Sequence, residues 1–184
     1  YWLARRSVVR FPLVPALVFT AVAAAVAGLW FGLELALHGT WFISRFIAYQ
    51  IRLLTTGDAG HGQPVYYHPL ILFLGCFPAS AIMFAGLKRR SSDSDRERDL
   101  KLWMVILLCV VVVVFSAVKT KIVHYSSLAY FPITFLAAYV LYKTAALGEP
   151  WKRHATGLVA LLGVLWGVVL ATLPLLMMHK ERWI

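Results

Sequence analysis

Residues 102–118 read LWMVILLCVVVVVFSAV, followed at 119–127 by KTKIVHYSS and at 128–142 by LAYFPITFLAAYVLY. No charged residue occurs from Leu102 to Val118. That run is near the short limit of a bilayer-crossing helix, which needs roughly 17–25 predominantly apolar residues. The two apolar runs read as two crossings. KTKIVHYSS is then a tight link between them, carrying two lysines, a histidine and a tyrosine with no acidic residue beside them.

Composition extends this reading to the whole chain. The 184 residues are 61% hydrophobic and 14% charged, with mean hydropathy +0.75. Soluble domains carry about a quarter charged residues, so this chain lacks the polar surface to dissolve as a globule. It reads as an all-α, polytopic transmembrane bundle, a single transmembrane domain over 1–184. Five spans are expected at about 11–33, 67–87, 102–118, 127–146 and 155–178. Pro69, Pro78, Pro132 and Pro174 fall within or beside spans, where membrane helices tolerate kinks. Cys76 and Cys109 lie in separate apolar runs and read as small buried hydrophobes rather than a disulfide. No cleavable signal peptide is evident, and the opening YWLARR suggests a fragment of a longer protein.

The net charge of +10 does not indicate nucleic acid, because the cations sit in short loops between apolar runs. Counting Lys and Arg in alternate loops sets orientation. One side has twelve: Arg5, Arg6, Arg10, Lys88, Arg89, Arg90, Arg96, Arg98, Lys101, Lys143, Lys152 and Arg153. The other has six: Arg45, Arg52, Lys119, Lys121, Lys180 and Arg182. The first side is expected in the cytoplasm. The loop 88–101 then reads as a solvated cytoplasmic connector, while KTKIVHYSS and the long segment 34–66 face outward.

Within 34–66, Phe42, Ile43, Phe46, Ile47, Ile51 and Leu54 form a broad apolar side. Arg45 and Arg52 share the opposite side with Ala48. This pattern predicts an amphipathic helix lying in the interface, arginines toward headgroups. One reading is plain anchoring; the other has the guanidinium forks holding a lipid phosphate. Gly57, Gly60, Gly62 and Pro64 then predict a turn-rich loop that delivers His61, Tyr66, Tyr67 and His68 to the next span. His61 and His68 make no recognisable metal-ligand set, although His61 stays a candidate ligand. Asp58 reads as a turn residue. The outer face has few acids, so an external anion is the expected partner of Lys119 and Lys121; ordinary snorkelling is the alternative.

GHGQPVYYHPLILFLGCFPAS at 60–80, followed by KTKIVHYSSLAYFP at 119–132, resembles the later transmembrane part of the ArnT/PMT-like glycosyltransferases (family 39, GT-C fold). In that family an outer-loop motif of the form H-x-K/G-P-F-x-Y-Y/H leads into a helix with a leucine-glycine-x-x-proline pattern. The matching residues run from His61 to His68 and from Leu74 to Pro78. A second, lysine-rich motif is similar to Lys119–Tyr125. The resemblance covers about Ile43 to Pro132. It implies a part of a GT-C fold that takes a sugar from a polyprenyl-phosphate carrier and transfers it to lipid A, protein or another acceptor. The implied location is a bacterial inner membrane, with the active site on the extracytoplasmic side.

On this resemblance Lys119 and Lys121, helped by Arg52 and Arg45, are expected at the donor phosphate. His61, Tyr66, Tyr67, His68, His124 and Tyr125 are expected to orient or hydrogen-bond. No cofactor is implied beyond the polyprenyl-phosphate sugar as donor, and no divalent metal is assigned. The implied partners are membrane lipids, that donor and a lipid or protein acceptor. The pattern departs in two places. Gln63 stands where lysine is frequent, and the family's acidic base belongs to a first outer loop that this chain does not show. Two other readings stay open: a transporter or flippase for an anionic lipid, and a non-catalytic membrane subunit.

Overall fold

The computed structural model describes residues 10–57, 60–88, 90–150 and 153–180. Asp58 and Arg89 lie outside the described residues. The described residues form helices and no strand: α1 Leu13–His38, α2 Thr40–Thr55, α3 Tyr67–Gly75, α4 Ala79–Gly86, α5 Asp95–Ala117, a 3-10 segment Val123–Ala129, α6 Tyr130–Ala145 and α7 Arg153–Lys180. Four spans among them have the length and apolarity to cross a membrane: Leu13–His38, Asp95–Ala117, Val123–Ala145 and Ala155–Pro174. The chain is an integral membrane protein built as a helical bundle. Where a single domain was expected, it divides into two compact units. One comprises Tyr1–Pro64 with Ala117–Lys121, and the other Val65–Ser116 with Ile122–Ile184.

In the first unit, α1 presents an apolar surface with no buried residue. Such a surface is stable where lipid is the solvent. The helix continues to His38, past the expected limit of 33, and closes on a Glu34–His38 pair at 2.9 Å. Gly39 at φ 63° occupies the left-handed region that glycine enters without Cβ strain, and there the chain turns into α2. The Phe31 and Phe46 rings meet edge-on at 5.5 Å, so α2 leans its apolar side against the last turns of α1.

In the second unit, the expected continuous span 67–87 is broken. The axes of α3 and α4 differ by 102°. Pro78 stands at the break, without the N–H that would continue the ladder. The Ser80 hydroxyl donates to the Phe73 carbonyl at 2.5 Å, satisfying a group that the bend would otherwise leave bare in a medium without water. The bent pair packs along the length of α5. His68, at the start of α3, contacts Phe115 near the C-terminal end of α5 and Ser126 of the 3-10 segment. Beyond the end of α4, the Lys88 carbonyl accepts from Lys101 near the N-terminal end of α5. The core runs along this path: Leu72, Val111, Ala129 and Ile133, then Ile82, Ala137, Tyr139 and Val140. Gly86 lets α4 touch α6, since a Cβ there would lie 2.6 Å from the Leu136 carbonyl oxygen.

The reading of 88–101 as a solvated connector needs correcting at two residues: most of the described segment is exposed or half-buried, but Asp93 and Lys101 are buried. Helix α5 starts at Asp95 rather than 102, because Ser94 and Glu97 form a capping box. The Glu97 carboxylate accepts from the Ser94 N–H at 2.8 Å, and the Ser94 hydroxyl accepts from the Glu97 N–H at 3.3 Å. This brings Lys101 inward, to 3.0 Å from the buried Asp93 carboxylate. Lys143 of α6 lies 4.0 Å from Asp93 and 2.9 Å from Glu97. The Tyr139 hydroxyl donates to Asp93, and Lys101 Nζ sits 4.7 Å from the centre of its ring. Arg90, in the α4–α5 loop, pairs with Glu149 in the α6–α7 turn. These charges are absorbed by one another, which is how buried ions are tolerated.

Candidate functional site

The two sequence motifs meet first in the unit that contains α2. A helix ends with unsatisfied carbonyls, and at the end of α2 the KTK segment supplies the donors. The Thr120 N–H reaches the Leu53 carbonyl at 3.1 Å, and the Lys119 N–H reaches that of Leu54 at 3.2 Å. The Thr120 hydroxyl donates to the Thr56 carbonyl at 2.7 Å. On the glycine-rich loop, the Lys121 N–H donates to the His61 carbonyl at 2.9 Å, and Gly62 and Thr120 form an antiparallel bridge. The loop doubles back tightly: a Cβ at Gly57 would lie 2.7 Å from Gly62 Cα.

The two lysines are not equivalent. Lys119 is exposed, and among the described residues no carboxylate forms an ion pair with it. Lys121 is only 2% exposed, and its ammonium donates to the Val118 carbonyl. Burial, and then the charge of Lys119, lower the Lys121 ammonium below its ordinary value. His61 is exposed and enters the geometry through its backbone. On α2 the exposed Arg45 and Arg52 stack on Trp41 at 5.9 Å and on Tyr49 at 5.3 Å.

The remaining motif residues belong to the other unit. His68 is fully buried, and its Nδ1 lies 2.9 Å from the Ser126 hydroxyl. Tyr67 packs edge-on against His68 at 5.3 Å, Phe115 lies 6.0 Å from His68, and Tyr125 lies 5.9 Å from Phe115. His124 is exposed, edge-on to Tyr125 at 5.2 Å, and Tyr66 is exposed. His68 is thus a buried histidine joining α3 to the 3-10 segment. An apolar cleft of about 310 Å³ follows the bend, lined in part by Leu72, Phe73, Met83, Leu108 and Val112. No group of three or more His, Cys, Asp or Glu able to hold a metal occurs among the described residues.

Thr120 and Ser126 lie within KTKIVHYSS but carried no expected role; the one sequence signal was a hydroxyl residue beside cationic or aromatic neighbours, and their burial is seen only in the fold. Thr120→Val keeps the shape and removes the hydroxyl, and is expected to cost about 1 kcal/mol. Amide exchange at residues 119–121 should quicken, with global unfolding little changed; unchanged exchange would show that the Thr56 contact holds nothing.

Compared with protein-family models, curated proteins and solved structures, the chain matches none.

Proposed function

We propose that this chain is the later transmembrane portion of a GT-C type glycosyltransferase. It takes a sugar from a polyprenyl-phosphate carrier on the extracytoplasmic side of a bacterial inner membrane and transfers it to a lipid or protein acceptor. The observation that carries the reading is the backbone pairing of its two motif segments, His61 and Gly62 against Thr120 and Lys121. Residues 58 positions apart in sequence are thereby joined beside the membrane, as a donor site assembled from two loops requires.

In the transfer, an acceptor nucleophile attacks the anomeric carbon and the bond from that carbon to the phosphate oxygen breaks. Negative charge then grows on the leaving phosphate. A fixed cation at that position lowers the barrier because it interacts more strongly with the transition state than with the ground state. Lys119 is the exposed ammonium suited to this role, with Arg52 as a helper. Lys121, buried beneath it, holds the segment in place. His61 is the orienting candidate of the same unit, while Tyr66, Tyr67, His124 and Tyr125 of the other unit are candidates on the family resemblance alone. His68 is a buried support within the bundle of its own unit. The general base is assigned to no residue of this chain.

The test is sugar transfer from a polyprenyl-phosphate donor in membranes containing the parent protein. Lys119→Ala is expected to lower the rate at least about tenfold, with a smaller effect from Lys119→Arg. An unchanged rate in Lys119→Ala removes the assignment. Absence of any donor-dependent transfer favours the transporter or subunit alternatives.

A further inference from the structure

The bend between α3 and α4 forms an apolar cleft that the proposed transfer chemistry does not use. Every residue lining it belongs to the unit Val65–Ser116 with Ile122–Ile184. Its floor includes Leu72 and Ile133, both buried, and its rim includes Phe84, Cys109 and Val113, all exposed. The mouth therefore lies between α4 and the middle of α5. Phe73 and Phe84, one on each arm of the bend, meet beside it with ring centres 6.4 Å apart.

Depth, lining and size together select an occupant. Cys109 and Val113 lie near the centre of the charge-free run Leu102–Val118, so the mouth opens at the level of hydrocarbon, away from the headgroups. Ser80 is the one hydroxyl residue in the lining. It is fully buried and donates to the Phe73 carbonyl. A headgroup, a sugar or water finds no free polar partner there. A helix is about 10–12 Å across, so a cleft of about 310 Å³ holds less than one turn of a helix. A single flexible hydrocarbon chain fits. Filling the cleft also restores dispersion contacts of the kind on which helix association in lipid rests.

We propose that the α3–α4 bend holds one acyl chain of a bilayer phospholipid. The methyl end of the chain lies against Leu72, Phe73, Met83 and Val112, as a wedge between the two arms. The headgroup stays at the bilayer surface, so the site selects a chain and not a headgroup.

Photolabelling of the purified chain in phosphatidylcholine liposomes tests this, with a diazirine placed either near the methyl end of one acyl chain or near its carbonyl. Mass spectrometry of the α5 peptide then compares Val113 with Val110 and Val114, which are exposed on the opposite side of the helix at similar depth. The methyl-end probe is expected to favour Val113 about tenfold, because a held chain keeps dispersion contacts that a passing one lacks. The carbonyl-end probe should label none of the three strongly. Val112→Phe fills the cleft and should bring Val113 down to the level of Val110, whereas Val114→Phe should leave the ratio of Val113 to Val110 unchanged. Equal labelling of the two sides in wild type means annular contact only and overturns the proposal. So does a preference for Val113 that survives Val112→Phe. Weak labelling of Val113 together with Cys109–Cys109 cross-linking by a bismaleimide would seat a second copy at the cleft and overturn it as well. The assay contains no polyprenyl phosphate, so its outcome is independent of the glycosyltransferase reading.

Discussion

Replacing Asp93 by asparagine is expected to destabilise the helical bundle by about 3–5 kcal/mol, the cost of removing one partner from a buried ion pair. The Asp93 side chain is 1% exposed and 3.0 Å from Lys101 Nζ. Asparagine keeps its size and can still accept from the Tyr139 hydroxyl, so the variant isolates the charge. Lys101 and Lys143, both buried, would then face a neutral amide, and Glu97 would remain for Lys143 alone. Reversible unfolding in mixed detergent micelles measures the loss. Combining Asp93→Asn with Lys101→Met should cost less than the sum of the single variants, because the uncompensated charge is gone. Additive losses would show that the two side chains do not act as a pair.

The same carboxylate sets an acid limit. Burial works to raise the Asp93 carboxyl, but hydrogen bonds from the Tyr139 hydroxyl, the Arg90 N–H and the Lys101 ammonium outweigh it. The group is held below the ordinary aspartate value. Its contribution is fully present above the unfolded value of about 3.9 and disappears as pH falls through the lower folded value. Below about pH 4 wild type should lose stability with falling pH more steeply than Asp93→Asn.

This cluster marks where the sequence was legible and where it was not. Long charge-free runs dictate helices in a bilayer whatever their partners, so four of the five expected spans were readable with shifted limits, while 67–87 came out as a bent helix pair. The amphipathic α2 was readable because arginines and phenylalanines repeat at helical spacing on opposite sides. KRRSSDSDRERDLK, in contrast, looks the same whether its charges meet water or one another. Only the packing of Lys143 and Tyr139 against Asp93, some 50 residues away, distinguishes the two. The Ser94–Glu97 capping box was a local signal that would have placed the helix start correctly. At the candidate site, local sequence showed that Lys119 and Lys121 were clustered cations. It could not show that one points out and the other in, because that difference is made by the His61 carbonyl and the end of α2.

Gly86→Val is expected to destabilise the bundle by about 3 kcal/mol, at the upper end of the range for overpacking. The obstacle is backbone: a Cβ at residue 86 would stand 2.6 Å from the Leu136 carbonyl oxygen and 3.2 Å from Leu136 Cβ. Leu136 is fully buried, so α6 has nowhere to retreat without opening the core around Ile82, Ala137 and Val140. Helices within a bilayer gain little from hiding apolar surface, which lipid covers equally well. Their association rests on close contact, and small residues permit that approach. Alanine should cost less than valine, since it adds only the first of the clashing atoms. Gly167→Ala of α7 is the control, because a Cβ there meets nothing within 4 Å. It should leave unfolding unchanged or slightly delayed, as alanine favours the helix by about 0.5–1 kcal/mol. If Gly86→Val unfolded like this control, α4 and α6 would not be in backbone contact, and the bent α3–α4 pair would need another partner to hold it in the bundle.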